Sequence, residues 1–377
     1  MASSAVSLFP KTKPKIAFTF SSAKNNSDIW IYDRKTFGLT QVTKSDRSDI
    51  SQESFIEPEL IKYKSFDGKE IPAWYYKPKN TTSRRRGEFN FSTTYKDYDE
   101  AAKTSKVETS FTGRKEKTGD TETSIETSSP QTKKNPAGGP TSIFTVEKES
   151  LLKVIVSVHG GPEGQSRPGF NPLFQYHLSR GYAVLDPNVR GSTGYGKAYS
   201  HLDDVEKRED SVKDLAAAHQ WLVKNGGADP KRIAVMGGSY GGYMTMAAIT
   251  LYPDLWAAAV NTVGIVNWET FLQNTSGYRR RQREVEYGML DKNIDFLRAI
   301  SPIKKIDKIK TPLFVIHGKN DPRVPYTEAE QVVKALKDRN AVVEYKLYDD
   351  EGHGISKLKN RLDLYPLVAD FLDKYMK

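Results

Sequence analysis

The stretch that most restricts how this chain can fold is Arg232-Ile-Ala-Val-Met-Gly-Gly-Ser-Tyr-Gly-Gly-Tyr-Met244. Ile233 to Met236 is a short apolar run of strand type, four glycines crowd around one serine, and a helix-forming segment begins at about Ser239. A strand that passes directly into a helix must reverse sharply. The G-x-S-x-G arrangement, Gly237-Gly-Ser-Tyr-Gly241, places Ser239 on that reversal with a strained backbone and a hydroxyl that projects clear of the sheet. Small flanking residues are needed because a Cβ there would strike the neighbouring strand or helix. The helix start also aims free N–H groups at any negative charge that develops beside the hydroxyl. Short motifs recur by chance, so the competing reading is a plain Gly/Ser turn. The rest of the chain decides between them.

From Leu151 onward, strands and helices alternate regularly. Apolar runs predict strands at Lys153–His159, Tyr182–Asp186, Ile233–Met236, Ala257–Asn261, Leu313–His317 and Val342–Leu347. Helical patterns fit Lys207–Lys224, Ser239–Leu251, Thr327–Asp338 and Asn360–Met376. Near-continuous apolar strands are expected where helices cover both sheet faces, so the fold class is α/β with a mostly parallel central sheet. Two alternating runs, Glu59–Ser65 and Glu70–Lys77, flank an Asp67-Gly68 pair and predict a hairpin that opens this domain. Before it, runs at Lys15–Phe20, Asp28–Asp33 and Gly38–Thr43 predict one antiparallel meander, like a single blade of a larger β structure, and no second copy follows. Residues 79 to about 149 are dominated by Thr, Ser, Lys, Glu and Gly without lasting periodicity. Such a stretch buries too little apolar surface to offset chain entropy and is expected to be a disordered insertion. The mean hydropathy of −0.62 fits a chain in which much of the length is not core. The expected organisation is therefore a blade and linker at 1–56, an α/β domain at 57–78 and 151–377, and an insertion at 79–150.

A serine hydroxyl needs an adjacent base, and the base needs an orienting acid. Where the serine sits on such a turn, both partners follow it in sequence, on loops after later strands. Of six histidines, His159, His177, His201 and His219 precede Ser239, and His317 ends an apolar strand. His353, in the glycine-flanked loop Asp349-Asp-Glu-Gly-His-Gly354, remains as the base. Asp321 follows the strand Leu313–His317 and is the expected acid; Asp349, Asp350 and Glu351 compete but lie so near His353 that turn-shaping is the expected role. For an oxyanion, one N–H comes from Tyr240, and the loop His159-Gly-Gly-Pro162 offers Gly161, with Gly160 second. Arg323 either stays a surface cation or points into the site to grip a substrate carbonyl or carboxylate. Gly191-Ser-Thr-Gly-Tyr-Gly-Lys197 begins like a phosphate-binding loop, but Ala198 stands where a Mg²⁺-binding hydroxyl should be and no helix clearly starts there, so it is expected to be a loop beside the site. In Gly277–Glu286, Arg and Glu alternate around Arg279-Arg280-Arg281, which predicts a solvated helix face with ion pairs.

The net charge of +10 and pI near 9.3 make an anionic partner worth weighing, yet no aromatic–basic platform is present and no nucleic-acid partner is expected. With no cysteine, disulfides, thiolate metal sites and a cysteine nucleophile are excluded. No secretory signal and no run approaching the roughly 20 apolar residues of a membrane helix is seen, so a cytoplasmic protein without a membrane partner is expected. Self-association is left open.

Taken together, Gly237-Gly-Ser-Tyr-Gly-Gly242, His159-Gly-Gly-Pro162, Asn188-Val-Arg-Gly-Ser-Thr-Gly-Tyr-Gly196, Asn320-Asp-Pro-Arg-Val-Pro325 and Glu351-Gly-His-Gly354 resemble the prolyl oligopeptidase family of serine peptidases, its acylaminoacyl-peptidase and dipeptidyl-peptidase branch in particular. The resemblance covers about 57–78 and 151–377. It implies an α/β-hydrolase domain with Ser239, Asp321 and His353 as the triad, Tyr240 and Gly161 as the oxyanion hole, and no metal or organic cofactor. Trp268 and Phe271 fall in the region that lines the acyl-side pocket in relatives, with core aromatics as the equal alternative. The family normally carries a whole β-propeller before the hydrolase domain; here Lys15–Thr43 resembles a final blade, so the size screen is absent or the chain is a fragment. The expected function is hydrolysis of peptide bonds in short peptides through an acyl-enzyme. The alternatives are a carboxylesterase of broad specificity and a truncated, non-catalytic binding member.

Overall fold

The computed structural model describes residues 14–79, 91–99, 104–111, 151–275 and 277–377, and the chain divides into two compact units, Met1–Lys79 with Leu151–Lys377, and Asn80–Ser150. The first unit opens with β1 (Lys15–Ser22), β2 (Asn25–Asp33) and β3 (Leu39–Gln41), an antiparallel meander in the order β1-β2-β3. It continues through β4 (Glu59–Lys64) and β5 (Glu70–Tyr76), the hairpin around Asp67-Gly68. The second unit contains β6 (Phe91–Asp99) and β7 (Thr104–Phe111), which pair antiparallel. Otherwise the stretch expected to be a disordered insertion lies outside the described residues.

Within the first unit the chain resumes with β8 (Leu152–Val158), α1 (Pro172–Ser179), β9 (Tyr182–Pro187), the one-turn α2 (Lys197–Ser200), α3 (Arg208–Lys224), β10 (Ala228–Gly238) and α4 (Tyr240–Leu251). It ends with β11 (Ala258–Thr262), α5 (Trp268–Asn274), α6 (Gly277–Tyr287), α7 (Ile294–Ile300), β12 (Leu313–Gly318), α8 (Thr327–Asp338), β13 (Val343–Tyr348) and α9 (Leu358–Tyr375). Eight strands form one sheet in the order β13-β12-β11-β10-β8-β9-β5-β4. Every pair from β13 to β9 is parallel, and the β9–β5 and β5–β4 pairs are antiparallel.

The apolar runs are continuous because both faces of the sheet are covered. Val154, Val156 and Val158 join one core, with Ile233, Val235, Leu313 and Val315, whereas Ile155, Ala234, Phe314 and Ile316 join the other, under α9. Side chains alternate across a strand, so a residue set with no polar gap serves two layers. Where only one face of a helix is covered, the pattern narrows: on α8, Ala329, Val332, Val333 and Leu336 are buried at helical spacing. By contrast, α4 is buried from Tyr240 through Thr250, as a helix at the centre of the larger core must be.

The meander belongs to the same compact unit. Ala23, at the β1–β2 turn, is buried with Ile56, Tyr76, Phe174, Leu178 and Val184. The Gln175 side chain on α1 fastens it: its amide nitrogen donates to the Ala23 and Ile56 carbonyls at 3.1 and 2.9 Å, and its oxygen accepts from the Ile56 N–H at 2.9 Å. Helix α1 itself was not expected from the sequence. Its start is marked by Asn171, whose side chain accepts from the Leu173 and Phe174 N–H groups, and by Pro172 in the first turn. One more turn of helix than expected, α2, follows the glycine-rich loop after β9.

Candidate active site

Ser239 stands between β10 and α4 with φ 59° and ψ −120°, a left-handed backbone that side chains rarely adopt and that tertiary packing must hold in place. What holds it is close approach. A Cβ at Gly241 would meet the Val158 carbonyl of β8, and one at Gly237 would meet the Gly241 carbonyl. The Ser239 N–H donates to the Thr262 carbonyl at 3.0 Å, which pins the turn to β11.

Two later loops meet at this serine. His353, between β13 and α9, places Nε2 2.9 Å from the Ser239 hydroxyl and donates Nδ1–H to Asp321 Oδ2 at 2.7 Å. With Nδ1 protonated, Nε2 is free to accept from the hydroxyl. Asp321 lies on the loop after β12, its side chain without solvent exposure. Its other oxygen accepts from the backbone N–H groups of Arg323 and Val324 at 2.8 and 3.0 Å. Burial alone would raise its pKa, but the nearby His317 ring, His353 and the Val324 and Arg323 N–H groups outweigh burial and hold the carboxyl well below the usual range. His317 donates Nε2–H to the Val324 carbonyl at 2.9 Å, so it braces the acid loop.

The two loops are joined to each other by the Lys319 N–H to the Tyr348 carbonyl and the Asn320 N–H to the Glu351 carbonyl, both 2.9 Å. A Cβ at Gly318 would collide with the Gly352 carbonyl, so the loops pack backbone to backbone. The competing acids are all engaged in shaping this turn. Glu351 accepts from the Ser356 and Lys357 N–H groups and from Asn360, Asp350 pairs with Lys357 and Lys359, and Asp349 pairs with Lys319.

The loop after β8 closes the other side. An added Cβ at Gly160 would lie 3.3 Å from Ser239 Cβ, and Gly161 and Tyr240 line the recess beside the serine. His159 is structural: Nδ1–H donates to the Gly160 carbonyl at 2.8 Å, Nε2 lies 2.9 Å from Ser192 Oγ, and burial lowers its pKa. Ser192 belongs to the glycine-rich loop, and the Thr193 N–H donates to the Gly164 carbonyl at 2.8 Å, so that loop supports the one carrying Gly161. The Gly161 carbonyl accepts from the Tyr287 hydroxyl at 3.0 Å and from Arg283 Nη1 at 3.3 Å.

The recess is small and partly open to solvent. Phe271 and Arg323 line it; Trp268 does not. Trp268 is fully buried behind it, edge-on to Tyr243 at 4.7 Å and against Tyr287 at 4.5 Å. Arg279 and Arg283 also line the recess, although the sequence placed Arg279 on a solvated face. Of its neighbours, Arg280 pairs with Glu284 at 3.6 Å and Arg281 is exposed, as that reading expects. Sequence reasoning also missed the buried Arg208 and Asp203, which hold the Tyr240 hydroxyl at 3.0 and 3.2 Å. Among the described residues, no cluster of three or more metal-ligating side chains occurs, and no helix is long and apolar enough to cross a membrane.

The sheet order, the strained serine turn and the loop-borne acid and histidine define an α/β-hydrolase fold. Solved structures agree: the chain superposes on a Mycobacterium tuberculosis puromycin-hydrolyzing peptidase with a TM-score of 0.73 at 23% identity, covering 96% of this chain and 47% of that one. A profile of the prolyl oligopeptidase family matches residues 168–377, and the chain belongs to that family. It is 37% identical over 229 residues to dipeptidyl aminopeptidase BIII of Pseudoxanthomonas mexicana, covering 59% of this chain and 33% of that protein. It is 31% identical over 233 residues to the acylamino-acid-releasing enzyme of Arabidopsis thaliana, covering 59% and 30%. The chain thus spans about a third of the length of these curated relatives.

Proposed function

We propose that the chain is a serine peptidase that cleaves short peptides through an acyl-enzyme. The observation that carries this reading is the unbroken series of contacts from Asp321 to His353 to Ser239, at 2.7 and 2.9 Å. In the proposed cycle His353 takes the Ser239 proton as Oγ attacks the scissile carbonyl, then passes it to the departing amine. Asp321, ionised throughout because of its depressed pKa, keeps the imidazole in the Nδ1–H tautomer and stabilises its cation. The N–H of Tyr240, at the start of α4, and the N–H of Gly161 receive the oxyanion. Water then enters, loses a proton to His353 and releases the acyl group, which regenerates Ser239. Phe271 and Arg323, from the wall of the recess, contact the acyl side. Family membership and the names of the relatives, an aminopeptidase and an acylamino-acid-releasing enzyme, favour peptide over other acyl substrates. None of these steps calls on a metal or organic cofactor.

A fluorophosphonate probe tests the reading directly. It labels the wild-type chain and fails to label Ser239→Ala of equal thermal stability; an unlabelled, folded wild type would sink the proposal. Paired assays with an aminoacyl anilide and a short-chain nitrophenyl ester then separate peptidase from esterase, and turnover of the ester alone would replace the first with the second.

A further inference from the structure

The recess beside Ser239 has a charge that the proposed chemistry does not use. Ile265, Phe271 and Val324 give it an apolar part, but three arginines also line it, Arg279, Arg283 and Arg323, and among the described residues no carboxylate does. Arg279 and Arg283 are four residues apart on α6 and therefore share one face of that helix, with Tyr287 a turn further on. Arg323 comes from a different element, the loop that carries Asp321.

Among the described residues, none of the three has an acidic partner within 4.0 Å. Other arginines nearby are paired: Arg280 with Glu284 at 3.6 Å, Arg298 with Glu269 at 2.7 Å, Arg208 with Asp203. Glu286, also on α6, is directed at Arg208 at 3.6 Å, and burial pushes its carboxyl up to about 7. Arg283 donates to the Gly161 carbonyl and the Tyr287 hydroxyl, both neutral acceptors, and the carboxyl nearest it on α6, Glu286, is the one that burial holds up to about 7. Guanidinium groups gathered in a concavity without counter-charge suit an anion, and their planar forks match a carboxylate.

The recess also has a side. A leaving group must reach His353 to be protonated, and His353 does not line the recess, whereas Ser239, Gly161 and Tyr240 do. The acyl side of the scissile bond therefore enters it. A free peptide C-terminus lies on the leaving side, so an acyl-side carboxylate has to come from a side chain or from an acidic N-acyl cap.

We propose that this recess selects substrates whose acyl-side residue is aspartyl or glutamyl, the aliphatic part lying on Phe271 and Ile265 and the carboxylate meeting Arg279 and Arg283. The assignment rests on the hydrolase reading above.

A matched panel tests it: N-acetyl-glutamyl, -glutaminyl, -alanyl and -lysyl nitroanilides, with N-succinyl-alanyl nitroanilide to detect a carboxylate placed one residue further out. Glutamyl and glutaminyl substrates differ almost solely in charge. The wild type is expected to favour glutamyl over glutaminyl by about tenfold or more in kcat/KM, through KM, and less so at high salt. Arg279→Gln brings that ratio to within about threefold of unity, Arg279→Lys keeps most of it, and Arg279→Glu turns the preference toward lysyl. Fluorophosphonate labelling of each variant reports whether the serine site is intact. A labelled, active wild type with a glutamyl/glutaminyl ratio near one, a ratio that Arg279→Gln leaves untouched, or preference for the succinyl cap over the glutamyl side chain overturns the assignment while the hydrolase reading stands. An unlabelled wild type overturns both.

Discussion

The two sides of Ser239 are built differently. On the reacting side, Asp321 and His353 hang from loops that pack backbone to backbone at Gly318 and Gly352 and are bonded to each other through Lys319 and Asn320. On the other side, the recess depends on long side chains from α6, a helix whose outer face carries Tyr278 and Val285, 71% and 81% exposed. The reaction needs atoms fixed to within a fraction of an ångström, which rigid backbone supplies. Discrimination among substrates needs charge and shape, which a half-exposed helix can vary without disturbing the sheet. The contrast makes distinct demands on mutation.

The largest effect falls on the reacting side. Asp321→Asn leaves the fold in place but lowers kcat roughly 10,000-fold, because the imidazole loses its anionic partner and its tautomer. The same change alters acid stability. Because the folded-state pKa is depressed, this carboxylate stabilises the native chain above its ordinary 3.8, and the contribution is lost as pH falls through the lower folded value. The acid limb of a Tm-versus-pH curve should therefore be shallower in Asp321→Asn; an unchanged limb would contradict it.

Next comes the loop junction. Gly318→Ala drives a methyl toward the Gly352 carbonyl and should cost about 1–3 kcal/mol of stability, read by denaturant titration, with activity lost as the His353 loop shifts. A variant as stable and active as the wild type would mean that the two loops give way more readily than their contacts imply.

The recess side gives smaller effects. Tyr287→Phe removes the hydroxyl that binds the Gly161 carbonyl and should lower kcat about three- to tenfold, since one such bond is worth about 1 kcal/mol. A pure KM effect would separate the helix from the oxyanion loop. Smallest is the influence of Glu286. Its carboxyl is pushed up to about 7 by burial, so it gains negative charge as pH passes that value, near Arg283. The KM ratio of glutamyl to glutaminyl substrates should rise about two- to threefold from pH 6 to pH 8, and Glu286→Gln should flatten it. Taking a ratio removes the titration of the imidazole, and a flat wild-type ratio would rule out this coupling.

How much of this could be read from the chain alone follows the same division. Strands β8 to β12 were legible because both faces of the sheet are buried there, so Val154 to Val156 and Leu313 to Ile316 show no polar gap. Ser239, Asp321 and His353 were legible because each sits on a short glycine-bearing loop after a strand, in one fixed order. Helices α5 and α7 were not, being one to two turns long and held by tertiary contacts such as the Ser301 hydroxyl on the Trp268 N–H. The start of α1 was written in Asn171-Pro172, but the segment is too short for periodicity to mark it. The arginines were hidden by their own neighbours. Arg279, Arg283 and Tyr287 recur every four residues, yet Arg280 and Arg281 fill the gaps and make the run look evenly solvated. Which face of a helix turns inward is decided by what packs against it, and here Trp268 of α5 packs against Tyr287 of α6, their rings 4.5 Å apart.

The Tyr287 hydroxyl has one more implication. Helix α6 lines the recess with arginines and, through that phenol, grips the carbonyl of Gly161, the residue whose own N–H, one peptide unit earlier, would steady the tetrahedral intermediate. A well-seated side chain would then tighten the very backbone on which turnover depends. Selectivity in such an arrangement is felt as speed as well as affinity, and evolution could retune one helix to change both together.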